Sequence, residues 1–232
     1  MDKKIYFASD FHFGIPDRDS SLKREKRFID WLDMVSGDAS AIYLMGDLFD
    51  FWFEYKKAVP RGYVRLLGKL AELADAGIAM HLFRGNHDMW AFDYLEKEIG
   101  FQLHRDPEIR QLGNKIFYLA HGDGLGPGDH GYKLIKKIFQ MPFNQWLFRQ
   151  LHPDVGIRMG LYWSGKSRYA NELKENGLHE DTEIVNSRLI VHSRTVLEKH
   201  PEINYFVYGH WHVPLDIPLN ENSHQISLGD WL

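Results

Sequence analysis

Five short apolar runs spread over the chain each end in a polar cluster, and that recurrence leaves few folds open. Ile5-Tyr6-Phe7-Ala8 leads to Asp10-Phe11-His12, and Ala41-Ile42-Tyr43-Leu44-Met45 to Gly46-Asp47-Leu48-Phe49-Asp50. Ile78-Ala79-Met80-His81-Leu82-Phe83 leads to Gly85-Asn86-His87-Asp88, Ile116-Phe117-Tyr118-Leu119 to His121-Gly122-Asp123, and Tyr205-Phe206-Val207-Tyr208 to Gly209-His210-Trp211-His212. Runs this short, rich in aromatic and branched residues, read as buried strands. Helix-period stretches lie between them: Leu22 to Val35, Val64 to Ala76 closed by Gly77, and Asp181 to His200 stopped by Pro201. Strands alternating with helices predict an α/β sheet covered by helices. The segment 126–176, where Gly126-Pro127-Gly128, Pro142 and Pro153 punctuate apolar helical turns, reads as an inserted helical cap within a single domain spanning 1–232.

The clusters carry the chemistry. In α/β sheets ligands gather at the carboxyl ends of strands, so residues some 200 positions apart can meet there. An i, i+2 spacing in extended chain puts Asp10 with His12, and His210 with His212, on one face. Carboxylate, amide oxygen and imidazole without sulfur suit Mn²⁺, Fe²⁺ or Zn²⁺ better than Ca²⁺ or a purely Mg²⁺ site. Seven donors exceed one ion's needs. A bridging Asp47 divides them: Asp10, His12 and His212 on one ion, Asn86, His121 and His210 on the other. Two ions about 3.5 to 4 Å apart hold a bridging hydroxide, polarise a phosphoryl group and stabilise its leaving oxygen. The other eight histidines (His81, His104, His130, His152, His179, His192, His200 and His224) read as ordinary core or surface residues.

Composition removes competing classes. The formal charge of −4, from 28 Lys plus Arg against 32 Asp plus Glu, argues against a general nucleic-acid binder. The absence of cysteine excludes disulfides, thiolate nucleophiles and Cys-bound metals, and suits a reducing, cytoplasmic compartment. The opening Met1-Asp2-Lys3-Lys4-Ile5 runs straight into a strand with no export signal, and no apolar run approaches the roughly 18 to 20 residues that span a bilayer. The segment 126–176 is basic: Lys133, Lys136, Lys137, Arg149, Arg158, Lys166, Arg168 and Lys174 outnumber Asp129, Asp154, Glu172 and Glu175. Interleaved with Leu134, Ile135, Ile138, Phe139, Met141, Phe143, Trp146, Leu147, Phe148 and Leu151, these cations fit either a cap docked by an ordinary apolar face or one facing an anionic membrane surface.

Asp-x-His, Gly-Asp-x-x-Asp, Gly-Asn-His-Asp, His-Gly-Asp and Gly-His-x-His, in this order, resemble the calcineurin-like metallophosphoesterase superfamily. The resemblance implies a four-layer α/β/β/α sandwich, the same division of ligands, and a catalytic His87 that stabilises the transition state or protonates the leaving group. Asp50 and Asp88 would orient the imidazoles from behind. His121-Gly122-Asp123 followed by Asp129 and Tyr132, a helical insert, Ser167-Arg168-Tyr169-Ala170-Asn171-Glu172-Leu173-Lys174 and Gly209-His210-Trp211-His212 resemble more narrowly the UDP-2,3-diacylglucosamine diphosphatase family of lipid A biosynthesis. That likeness implies two divalent ions, Mn²⁺ first with Fe²⁺ or Zn²⁺ as alternatives. It implies metal-bound hydroxide attack on the α-phosphorus of a nucleotide-linked acylated sugar, releasing UMP and 2,3-diacylglucosamine 1-phosphate. Asn86, His87, Asp129, Tyr132, Ser167, Asn171, Lys174 and His210 would contact substrate. The expected location is the inner face of the cytoplasmic membrane, held peripherally.

One departure keeps other readings open. The best-known members carry arginine where this chain has His87, as in the wider superfamily, and a permanent guanidinium and a titratable imidazole stabilise a diphosphate differently. A soluble phosphoesterase acting on nucleotide diesters or small phosphomonoesters is the alternative, and a degenerate protein-binding scaffold the third reading. The chain stops at Leu232, just after Gly229-Asp230-Trp231, where the family continues through more sheet, so a truncated piece or a disordered tail is expected.

Overall fold

Alternation along each strand sorts side chains onto two faces, and here both faces are apolar. The computed structural model describes residues 3–175 and 179–231, with the side chains of residues 167–187 outside the description. Its strands are β1 (Lys4–Ala8), β2 (Ala39–Leu44), β3 (Ala79–Phe83), β4 (Gln102–His104), β5 (Glu108–Leu112), β6 (Lys115–Ala120), β7 (Tyr205–Tyr208), β8 (Pro214–Pro218) and β9 (His224–Leu228). The helices are α1 (Arg18–Ser36), α2 (Val64–Asp75), α3 (His130–Gln140), α4 (Pro142–Arg149), α5 (Pro153–Glu175) and α6 (His179–Lys199). One sheet is parallel with order β1-β2-β3-β4; the other is mixed with order β5-β6-β7-β9-β8.

The alternation shows how the layers form. On β2, Ile42 and Leu44 join a core with Phe28 and Leu32 of α1 and Leu66 and Leu70 of α2. Ala41 and Tyr43, on the opposite face, pack with Leu119 of β6 and Val207 of β7, which fills the space between the sheets. Tyr118, Ala120, Phe206 and Tyr208 point the other way, onto Leu189 of α6. Helices, sheet, sheet and helix therefore stack in the expected α/β/β/α order. Each fully buried Phe or Leu contributes about 1.5–3 kcal/mol, so the three layers of contact dominate the fold's stability.

Local signals account for most boundaries. The Asp17 carboxylate accepts from the amides of Asp19 and Ser20, each at 2.9 Å, and starts α1 a turn before the expected Leu22. Gly77, at φ 88°, ends α2 where expected, its amide donating to the Ala74 carbonyl. Strands β4, β5, β8 and β9 lack a buried apolar run. β4 has three residues and β8 carries proline at both ends, so each becomes a strand only through its neighbour's ladder.

Helices α3 to α5 lie within the segment 126–176 read as a cap. Phe139, Phe148 and Ile157 pack against Phe51, Phe53, Met89 and Trp90, which follow β2 and β3, and the Trp90 indole donates to the Phe139 carbonyl at 2.9 Å. Leu134, Ile135, Ile138, Phe143, Trp146 and Leu147 stay exposed. One face of the cap docks, and the other faces out.

Candidate metal centre

All five polar clusters lie at the C-terminal ends of parallel-paired strands, and there the backbone is strained. Asp10, His12, Asp47, His210 and His212 adopt φ values of 55°, 45°, 53°, 67° and 42°. Non-glycine residues rarely occupy this left-handed region, and such strain collects at functional sites. The loops are held by their own amides. The Asp10 amide donates to the Gly46 carbonyl, those of Phe11 and His12 to the Asp47 carbonyl, and the His210 amide to both Asp10 carboxylate oxygens at 3.0 and 2.8 Å. Gly85 is required by close approach: a Cβ there would sit 2.1 Å from Asp47 Oδ1.

The side chains converge in two triads. Donor atoms of Asp10, His12 and His212 lie within 4.8 Å of one another, as do those of Asp47, His121 and His210. Asp47 sits between them, with Oδ2 at 3.8 Å from His12 Nε2 and 3.3 Å from His121 Nε2. Asn86 Oδ1 lies 3.2 Å from His121 Nε2 and so joins the second triad. His121 Nδ1 donates to the Met45 carbonyl at 2.8 Å, which turns Nε2 toward the centre. The side chains that the sequence reading assigned to each ion thus lie near one another. His87 also comes within ligand reach of His12 and Asp47, a third grouping that the sequence reading placed outside the ligand set.

The electrostatics fit a divalent pair. Burial raises Asp10 to about 6, and raises Asp88 to about 7 with help from the Asp47 charge. Burial acts to raise Asp47 too, but His121, His87 and His12 hold it well below the carboxylate range; the same contact, opposed by burial, lifts His121 to about 10. Burial lowers His12 to about 3 and His210 to about 4. The ion partners of Asp10 and Asp47 among the described residues are imidazoles. His12 is 2% exposed, yet neither ring nitrogen has a hydrogen-bond partner. Buried carboxylates and an unpartnered buried imidazole are costly in isolation, and a cation between them answers both.

The remaining candidates fall into three groups. Asp88 accepts from the amides of Leu48 and Gly85 at 2.8 and 2.7 Å, clamping the loops that carry Asp47 and Asn86. Asp50 Oδ1 lies 3.7 Å from His12 Nδ1 and 3.8 Å from His87 Nδ1, behind both rings. Asp129 stands 3.7 Å from Arg188, and the Tyr132 hydroxyl donates to Asp123, whose charge acts in turn on His121. The side chains of Ser167, Asn171 and Lys174 lie outside the described residues. Sequence reading missed Ser164, whose hydroxyl meets both Asp50 and His87, because a serine inside a helix gives no signal of what it faces. Arg84 lines a cavity of about 250 Å³ with His104, Arg105, Asp123 and Lys136, opening against His121.

Paired donor triads at the strand ends of a layered α/β sandwich define a class, the hydrolases that work with divalent ions. The chain belongs to the calcineurin-like phosphoesterase family, whose profile matches residues 3–214. A UDP-2,3-diacylglucosamine hydrolase from Porphyromonas gingivalis is 38% identical over 242 residues, covering 100% of this chain and 92% of that protein. Proteins of the same name from Pseudomonas putida KT2440 and Aeromonas salmonicida are 27% and 28% identical, over 98% and 97% of this chain and 90% and 85% of theirs. Among solved structures, the phosphoesterase Yfce from E. coli is 17% identical with a TM-score of 0.45, covering 98% of this chain and 79% of that one, a likeness too loose to carry weight.

Proposed function

We propose that the chain hydrolyses the diphosphate of UDP-2,3-diacylglucosamine to UMP and 2,3-diacylglucosamine 1-phosphate. The observation that carries this reading is the pair of triads joined at Asp47, set beside a full-length relative of that name. Asp10, His12, His212 and Asp47 would hold one divalent ion, and Asp47, Asn86, His121 and His210 the other; the donor types favour Mn²⁺, with Fe²⁺ or Zn²⁺ as alternatives. When bound, the ions lower the pKa of water and withdraw charge from phosphoryl oxygens.

The chain's own residues supply the rest. His87 is held from behind: its Nδ1 lies 2.8 Å from the Asp50 carbonyl, which only accepts, so one proton sits on Nδ1, and a second proton, on Nε2, would be the one given to the leaving oxygen. The His87 amide donates to Asp47 Oδ1 at 2.9 Å and fixes the carboxylate that the two triads share. Arg84, Arg105 and Lys136, on the cavity against His121, suit the charge of a diphosphate.

The cap supports an acylated substrate. Its outward apolar side chains, among them Phe143 at 69% and Trp146 at 55% exposed, share the cap with the exposed Lys137, Arg158 and Lys166, a combination suited to acyl chains and to an anionic lipid surface. No helix among the described residues is long and apolar enough to cross a membrane, so the proposed contact is peripheral, on the cytoplasmic face. The test is an Mn²⁺-supplemented assay with acylated and deacylated UDP-glucosamine and product identification. UMP and acylated sugar phosphate from the acylated substrate are expected. Turnover of soluble nucleotide diesters or phosphomonoesters, with none of the acylated substrate, would establish the alternative.

A further inference from the structure

The cap reaches the catalytic histidine through one buried hydroxyl. Ser164 of α5 is 8% exposed; its Oγ donates to Asp50 Oδ2 at 2.8 Å and lies 3.1 Å from His87 Nδ1. With its proton committed to the carboxylate, the hydroxyl offers a lone pair to Nδ1–H, which the Asp50 carbonyl already engages. The imidazole is thus gripped at one nitrogen by two acceptors from different parts of the chain, one from the loop after β2 and one from the cap.

The serine is where it is because α5 comes unusually close. Gly156, Gly160 and Ser164 recur every four residues and share a helix face. A Cβ at Gly156 would lie 2.0 Å from the Tyr55 hydroxyl oxygen, and one at Gly160 would lie 2.2 Å from the Phe51 ring. Both partners follow Asp50 on the same loop, so the contact that seats the helix also sets the distance from Ser164 to Asp50 and His87. Larger residues on this face would lift the helix off the loop, and hydrogen bonds of this kind weaken steeply beyond about 3.2 Å.

We propose that Ser164 is a positioning residue for His87, so that turnover requires α5 to be seated on the loop after β2. The proposal rests on reading His87 as the group that serves the leaving oxygen, and it adds that the cap carries part of that group's support. A substrate held between cap and sandwich would therefore be processed only where the cap is docked.

The test is a double-mutant cycle on the Mn²⁺-loaded full chain with acylated UDP-glucosamine, reading kcat, KM and bound metal. Ser164→Ala is expected to lower kcat about 10- to 100-fold, the range for groups that orient an active-site side chain, with KM and metal content unchanged. Ser164→Thr, which keeps the hydroxyl, should recover most of the loss. In a His87→Ala background, Ser164→Ala should cost nothing further. An undiminished loss in that background, a rise in KM alone, or no loss in Ser164→Ala would overturn the positioning role while leaving the His87 reading intact. Full kcat in His87→Ala would overturn both.

Discussion

The strand-end centre and the outer face of the cap divide the protein's work and obey opposite physical rules. At the centre, polar groups are buried: Asp10, Asp50 and Asp88 are 0% exposed, and the backbone is strained at five candidate ligands. On the cap, large apolar groups are exposed on α3 and α4 while Phe139, Phe148 and Ile157 are turned inward. Each violates the usual sorting of side chains; cations answer the first violation, and the proposed acylated substrate would answer the second. The fold and centre set the reaction class, and on the proposed reading the choice of substrate falls to the cap.

That division is sharpened by substitutions that strike one region and spare the other. The largest effect is expected from Asp47→Ala, which removes the carboxylate set between His12 and His121. Turnover of every phosphoester should fall to background and bound metal should drop, as read by elemental analysis. Two ions and full turnover would remove Asp47 from the bridging position. Next in size, Phe143→Glu with Trp146→Glu should weaken binding to anionic vesicles and raise KM for acylated substrate about tenfold, the loss of one or two kcal/mol of apolar contact, while soluble diesters turn over as before. Equal losses on both substrates would show that these side chains support the fold instead.

The smallest effect concerns the inter-sheet layer that underlies both regions. His81 stacks on Tyr43 with ring centroids 4.1 Å apart, and its Nδ1 lies 3.0 Å from His104 Nε2. Burial, with the nearby charges of His104 and Arg110, lowers His81 from 6.5 to about 4. The folded state therefore binds this proton less readily than the unfolded chain does. Its contribution is complete above pH 6.5 and is lost as pH falls from 6.5 toward 4. Denaturant midpoints at pH 7 and pH 4.5 should differ less in His81→Gln than in the parent. An identical pH dependence would place the acid sensitivity elsewhere.

The clusters were legible because each follows a strand that announces itself. Asp10 and His12 end β1, His121 ends β6, and strand ends in an α/β sheet converge whatever lies between. The layers were legible for the same reason, since Ile42 and Tyr43 are neighbours in sequence and apolar on opposite faces. β8 was not, because Pro214–Pro218 carries no apolar run and pairs only once β9 lies beside it. Nor was the fate of the cap's side chains: Phe139 and Phe143 are alike in sequence, yet the first packs on Trp90 and the second is exposed.

From its amino acids alone the chain determined a layered α/β fold and a set of oxygen and nitrogen donors suited to divalent cations, because strand periodicity and donor chemistry are local properties. Only the tertiary structure decided that Asp47 lies between His12 and His121, that the buried His12 ring lacks a hydrogen-bond partner, and that Ser164 meets His87 across 77 residues of chain. Those are distances between segments remote in sequence, and they exist only once packing has fixed how the helices and sheets stack.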